Sequence, residues 1–106
     1  MCHYKTISNN SFGCLIQCEK CEQFHLGFGT VVLILSYDEF IRFSDQVYTI
    51  HSAYYEEKRE NNEKIYMHTD SSKMVLAFTL KEWTKLYQLL EESRFMIHAK
   101  LLIDQN

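Results

Sequence analysis

Two cysteines separated by two residues, Cys18 and Cys21, are the most chemically specific pair in the chain. A Cys-x-x-Cys turn can aim both sulfurs at one point, as a tetrahedral ion needs, and thiolates at about 2.3 Å suit zinc. Two further donors must come from elsewhere. Cys14 is joined to Cys18 by a stretch that reads as extended, at about 3.3 Å per residue, which holds their alpha carbons too far apart for one ion. The same objection weighs on His25, four residues beyond Cys21 on the next expected strand. Cys2 and His3 escape it, because an N-terminal arm can fold back over the turn. Neighbours in an extended backbone point apart, so these two chelate one ion only where the chain curls. The expected ligands are Cys2, His3, Cys18 and Cys21, with zinc as cofactor, and Cys14 and His25 are the alternatives for the fourth position. Four protein ligands leave no open coordination position, so such a metal is structural.

Other chemistry finds less support. A Cys-x-x-Cys turn can also cycle between dithiol and disulfide when a helix N-terminus lowers the first thiol's pKa. Here the alternating segment Phe24–Phe28 follows, which reads as a strand, and the parallel βαβ setting of thioredoxin is missing. The chain has no Gly-x-Ser-x-Gly elbow, phosphate loop or His-Glu-x-x-His helix. Gly27-Phe28-Gly29 lacks the third glycine of a dinucleotide fingerprint. If Met1 is removed, Cys2 becomes an N-terminal nucleophile, but no partner for that chemistry is evident. His51, His68 and His98 are scattered and read as surface or satisfied core histidines. Cys14 reads as a small buried hydrophobe, and His25 as a solvent-side residue between inward Phe24 and Leu26. No enzyme is expected.

The totals bound the remaining classes. At 106 residues the chain reads as a single domain able to form one core. Seven Tyr and seven Phe argue against disorder. The formal charge of −3 comes without a basic stripe, which disfavours a nucleic-acid partner. A patch would have to be assembled from residues such as Lys58, Arg59 and Lys64. The start resembles no signal peptide and the apolar run Val31–Leu35 is far too short to cross a bilayer, so no membrane role and a cytoplasmic location are expected. In a reducing compartment four cysteines point to metal or redox work before disulfides.

The elements that would position these residues follow from local signals. Residues 1–11 read as polar and irregular, closed by an Asn9-Asn10-Ser11 turn. Cys14–Gln17 and Phe24–Phe28 read as strands, Gly29-Thr30 as a turn or bulge, and Val31–Leu35 as a third strand. Ser36 and Glu39 form a capping box that opens a helix. Phe40, Phe43, Val47, Ile50 and Tyr54 are its apolar face, and it ends in the charged run 56–60. Lys64–Thr69 and Met74–Phe78 read as a hairpin turning at residues 70–73. Thr79 and Glu82 form a second capping box, opening a helix with Trp83, Leu86 and Leu90 on its apolar face. Residues 32–40 align with 75–83 at an offset of 43, which reads either as a repeated ββα unit or as the Ser/Thr with Glu three later that any strand-to-helix junction selects.

Taken together, Cys2-His3, Asn10, Gly13, Cys18-x-x-Cys21, Phe24-His25-Leu26-Gly27-Phe28-Gly29, Val32-x-x-Leu35 and Glu39-Phe40-x-x-Phe43 are distinctive. With them the first half of the chain resembles a family of small uncharacterised bacterial proteins, a domain of unknown function with a cysteine-containing N-terminal segment. The resemblance implies a zinc-ribbon-like site through Cys18, Cys21 and the Cys2-His3 segment. It implies no activity. Unlike ordinary zinc ribbons, the chain has no second Cys-x-x-Cys.

The expected architecture is α+β, a mainly antiparallel sheet with two helices on one face and the metal turn tying residues 1–29 together. Residues 30–60 supply a strand and helix, and 64–106 a hairpin and helix. The expected role is a zinc-binding interaction or regulatory module. Its partner is another protein or a second copy; Phe95, Met96, Ile97, Leu101, Leu102 and Ile103 exceed the needs of one helical stripe and serve either self-association or packing across the sheet. A thiol-redox or metal-handling protein and a nucleic-acid module are the alternatives.

Overall fold

Strands β1 (Tyr4–Asn9), β2 (Gly13–Cys18), β3 (Phe24–Phe28) and β4 (Val31–Leu35) each pair antiparallel with their sequence neighbours into one four-stranded meander. This is seen in a computed structural model that describes residues 4–56, 63–69 and 73–104. Side chains opposite one another in a ladder share a face. Leu15 lies opposite Leu26, which lies opposite Leu33, and Phe24 lies opposite Leu35. That face carries Leu15, Phe24, Leu26 and Phe28 into the core. The other face holds Ile16, His25 and Ile34 in one row and Cys14, Gly27 and Val32 in the next. Val32 and Ile34 are 63% and 58% exposed there, so one sheet face is covered and the other open.

Tight turns set the meander's register. Asn10 Oδ1 accepts from the amides of Phe12 (2.8 Å) and Gly13 (3.0 Å), which folds the β1–β2 turn on one side chain. Its Nδ2 donates to the carbonyl of Lys85 at 2.9 Å and ties the turn to the last helix. Gly29, at φ +59°, opens the two-residue β3–β4 loop, the place where a II′ hairpin needs glycine.

Helix α1 (Tyr37–Tyr54) starts on the expected box: Ser36 Oγ accepts from the Glu39 amide at 3.2 Å, and Glu39 Oε1 accepts from the Ser36 amide at 2.9 Å. These bonds stabilise the carboxylate and hold the Glu39 pKa below its ordinary value. Phe40, Phe43 and Val47 are buried as the spacing predicts, with Ile50 and Tyr54 packed at the core's margin. Strands β5 (Lys64–His68) and β6 (Val75–Thr79) form a second antiparallel pair. The expected turn residues 70–72 lie outside the described residues. Helix α2 (Leu80–Asp104) follows at once, with Thr79 and Glu82 exchanging bonds of 2.9 and 3.2 Å. Each half therefore ends in a hairpin and a capped helix.

Two expectations change. The segment 4–9, read as irregular, is strand β1. Its inward Ser8 is buried, and its hydroxyl meets that of Ser93 and the carbonyl of Leu89, so a polar residue occupies a core position fully hydrogen-bonded. A bulge between Thr6 and Ser8 breaks the simple alternation. Second, the strands form two sheets instead of one. Phe78 of β6 meets Phe28 edge-on at 5.6 Å and Phe12 at 5.3 Å, so rings pack between the hairpins where ladder bonds would run. Trp83, fully buried, donates from Nε1 to the Ile65 carbonyl at 3.0 Å and fastens the second hairpin to α2. Among the described residues no helix is long and apolar enough to cross a membrane.

Candidate metal turn

The Cys turn grows directly out of the β2–β3 ladder. Cys18 closes β2, and its amide donates to the Gln23 carbonyl at 3.0 Å, the last rung before the chain turns. Glu22 then donates its amide back to the Cys18 carbonyl at 3.1 Å. The chain reverses in so few residues because Glu22 adopts φ +58°, the only non-glycine in the left-handed region among the described residues. The result is a turn in which the Cys21 amide points at Cys18 Sγ, 3.4 Å away.

That bond bears on the donor chemistry. The Cys18 sulfur accepts this bond within a fully buried site, and a thiol is a weak acceptor. Cys18 is fully buried and Cys21 exposed. The turn thus holds one thiol sealed from solvent and one open to it. Tyr4 pairs with Cys18 across the β1–β2 ladder. Cys2 and His3 lie outside the described residues. Among the described residues no three His, Cys, Asp or Glu side chains gather to hold a metal ion. Cys18 and Cys21 are two thiols on one turn with no third ligand gathered beside them among the described residues.

The other candidates fall elsewhere. Cys14 is half-buried on the open face instead of in the core, because the residue opposite it, Gly27, has no side chain to cover it. It stands on the same strand as Cys18, one row and more away along the ladder. His25 lies on the open face as expected, its ring edge-on to Tyr4 at 5.1 Å. Strand β3 follows the Cys turn in sequence, while the N-terminus of α1, Ser36 to Asp38, borders the same cleft as Cys21. His68 and His98 are exposed. Lys58 and Arg59 lie outside the described residues, and Lys64 sits 3.7 Å from Glu82, its charge already matched.

His51 departs from expectation. It is half-buried and stacked on Tyr87 at 4.3 Å with rings 9° apart, and its Nε2 is buried with no hydrogen-bond partner among the described residues. Burial lowers its pKa below the ordinary value. Burial raises that of Tyr87, helped by the charge of Glu91 and by Tyr48. The sequence carried a signal for this cluster in the three-and-four spacing of Tyr48, His51 and Tyr55 along α1.

A family model, described as a family of unknown function (DUF6686), matches residues 1–105, so the similarity extends well past the first half. No curated protein and no solved structure matches the chain.

Proposed function

Because the chain belongs to the family DUF6686, to which no activity is assigned, we propose a function from its Cys turn: a small interaction module stapled by a structural zinc ion. In this reading Cys18 and Cys21 supply two thiolates and the Cys2-His3 arm supplies the remaining ligands. The single observation that carries it is the Cys21 amide directed at Cys18 Sγ, on the rung that pairs Cys18 with Tyr4. Zinc, when bound, would cross-link the arm to the turn and add folding energy. A closed four-ligand site has no position for substrate, which favours binding over catalysis. A cytoplasmic location belongs to the same proposal, since thiolate sites persist where thiols stay reduced.

The test is elemental analysis of untagged protein prepared without chelator, alongside Cys18→Ser. One zinc per chain, lost in the variant together with thermal stability, is the expected result. Absence of metal, with Cys18 and Cys21 reacting readily with an alkylating agent in the native state, would overturn it in favour of thiol-redox chemistry.

A further inference from the structure

We propose that the cleft between β1 and the last turns of α2 binds a small amphiphilic anion, a carboxylate carried on an aliphatic chain. The cleft arises where the covered face of the meander stops being apolar. Lys5 lies opposite Gln17, and Gln17 opposite Phe24, so the three share one row of that face. The next row of the same face holds Ser8, Leu15 and Leu26, all buried. Phe24 continues the core, but on β1 and β2 a lysine and a glutamine stand where apolar residues would extend it. Across from them α2 presents Met96, Ile97, Lys100 and Leu101, at positions i, i+1, i+4 and i+5 of one helical side. The result is a cleft of about 230 Å³, lined by the apolar Ile7, Met96, Ile97 and Leu101 and by the cations Lys5 and Lys100.

The charges of the lining select the occupant. Among the described residues neither Lys5 nor Lys100 has an ion-pair partner, and the side-chain amide of Gln17 makes no hydrogen bond. No aspartate or glutamate lines this cleft. Two cations on one cleft repel each other, and a carboxylate between them offsets both while accepting from the Gln17 amide. An inorganic anion would answer the charges and leave the apolar walls in water, so the complementary ligand also carries an apolar body. A second cleft, of about 710 Å³, shares Gln17, Ile97 and Leu101 with the first and reaches Phe24 and Tyr37, which gives that body its course. Glu22 and Asp38 line the second cleft, so charge fixes the direction: the carboxylate lies at the lysines and the chain runs toward Phe24. The inference goes beyond the zinc reading and does not depend on it.

The test titrates the full chain with decanoate, held below its micellar concentration, and in parallel with decylamine and decanol, by calorimetry and by amide NMR shifts. Decanoate should bind once per chain and move the amides of Lys5, Gln17, Ile97 and Lys100, with decylamine at least tenfold weaker. Lys5→Gln/Lys100→Gln changes two exposed side chains, so it should keep the native circular dichroism and weaken decanoate at least tenfold. Leu101→Glu places an acid where the two clefts meet and should abolish decanoate binding. Absence of decanoate binding overturns the proposal, as does equal affinity for the three probes. Decanoate affinity unchanged in the lysine double variant also overturns it, and means that the lysines only lay their stems along apolar surface. So does binding to anionic vesicles or to an acidic peptide by a chain that ignores decanoate. Zinc is assayed on the same samples. Metal-free protein that binds decanoate keeps this site and removes the zinc reading, and zinc-loaded protein that ignores decanoate does the reverse.

Discussion

Tyr4 sits directly opposite Cys18 in the β1–β2 ladder, so the first described residue and the buried cysteine of the turn share one rung. A metal held between the turn and the residues before Tyr4 would clamp this end of β1. Treatment with a strong chelator should therefore speed amide hydrogen exchange across the start of β1 and the turn. Exchange in the later turns of α1 should stay unchanged. Equal protection before and after chelation would separate the turn from any metal.

Glu22 holds φ +58° with an ordinary side chain, a conformation that costs about 1–2 kcal/mol in a non-glycine residue. Glu22→Gly removes that strain but gives the unfolded chain more freedom. The expected net gain is roughly 0.5–1 kcal/mol, seen as a higher urea midpoint at unchanged slope. A loss of stability would mean that the Glu22 side chain contributes more than its backbone costs.

Gly13 faces the opposite constraint. A Cβ there would strike the carbonyl oxygen of Gly27 on the paired strand, and a backbone atom cannot rotate away as a side chain would. Gly13→Ala should cost about 1–3 kcal/mol, the range of overpacked sites, measured by the same urea titration. Gly27→Ala meets only ordinary contacts near 3.9 Å and serves as its control.

His51 gives a pH signature. Its folded pKa lies below its ordinary value of 6.5 because burial disfavours the imidazolium. Below pH 6.5 the unfolded chain takes up a proton at this site before the folded one does, so stability falls as pH drops from 6.5 toward the folded pKa, and then levels off. The groups around the ring are Tyr48, Tyr55, Tyr87 and Glu56. Thermal melts between pH 7.5 and 5.5 should show a fall that His51→Phe flattens. An identical slope in the variant would place the titration elsewhere.

What the sequence discloses about this fold is what short-range rules can encode. Ser36 with Glu39, Thr79 with Glu82, Gly29 at a hairpin and the spacing from Phe40 to Tyr54 each act within a few residues, and each appears where read. Strand β1 was hidden because its inward Ser8 finds its partner in Ser93, 85 residues away. No local pattern marks a serine as a core residue. The two-sheet arrangement was hidden for a similar reason, since Phe12, Phe28 and Phe78 look like ordinary strand aromatics until the hairpins meet. The Cys-x-x-Cys turn was legible from its spacing, but the amide directed at Cys18 Sγ depends on Glu22, whose type gives no hint of a left-handed backbone.

The first strand and the last helix complete each other through the Ser8–Ser93 pair and the bond from Asn10 to the Lys85 carbonyl. During synthesis this sets an order of events. The meander and α1 are made before α2, at a pace of about 5–20 residues per second. For roughly 3–10 s the inner faces of Leu15, Leu26 and Phe28 have only α1 to lie against, and Ser8 has no hydroxyl to meet. The nascent chain must pass through this half-covered state each time it is made. A chaperone that binds exposed apolar strands would find its substrate in that interval and lose it when α2 closes the core.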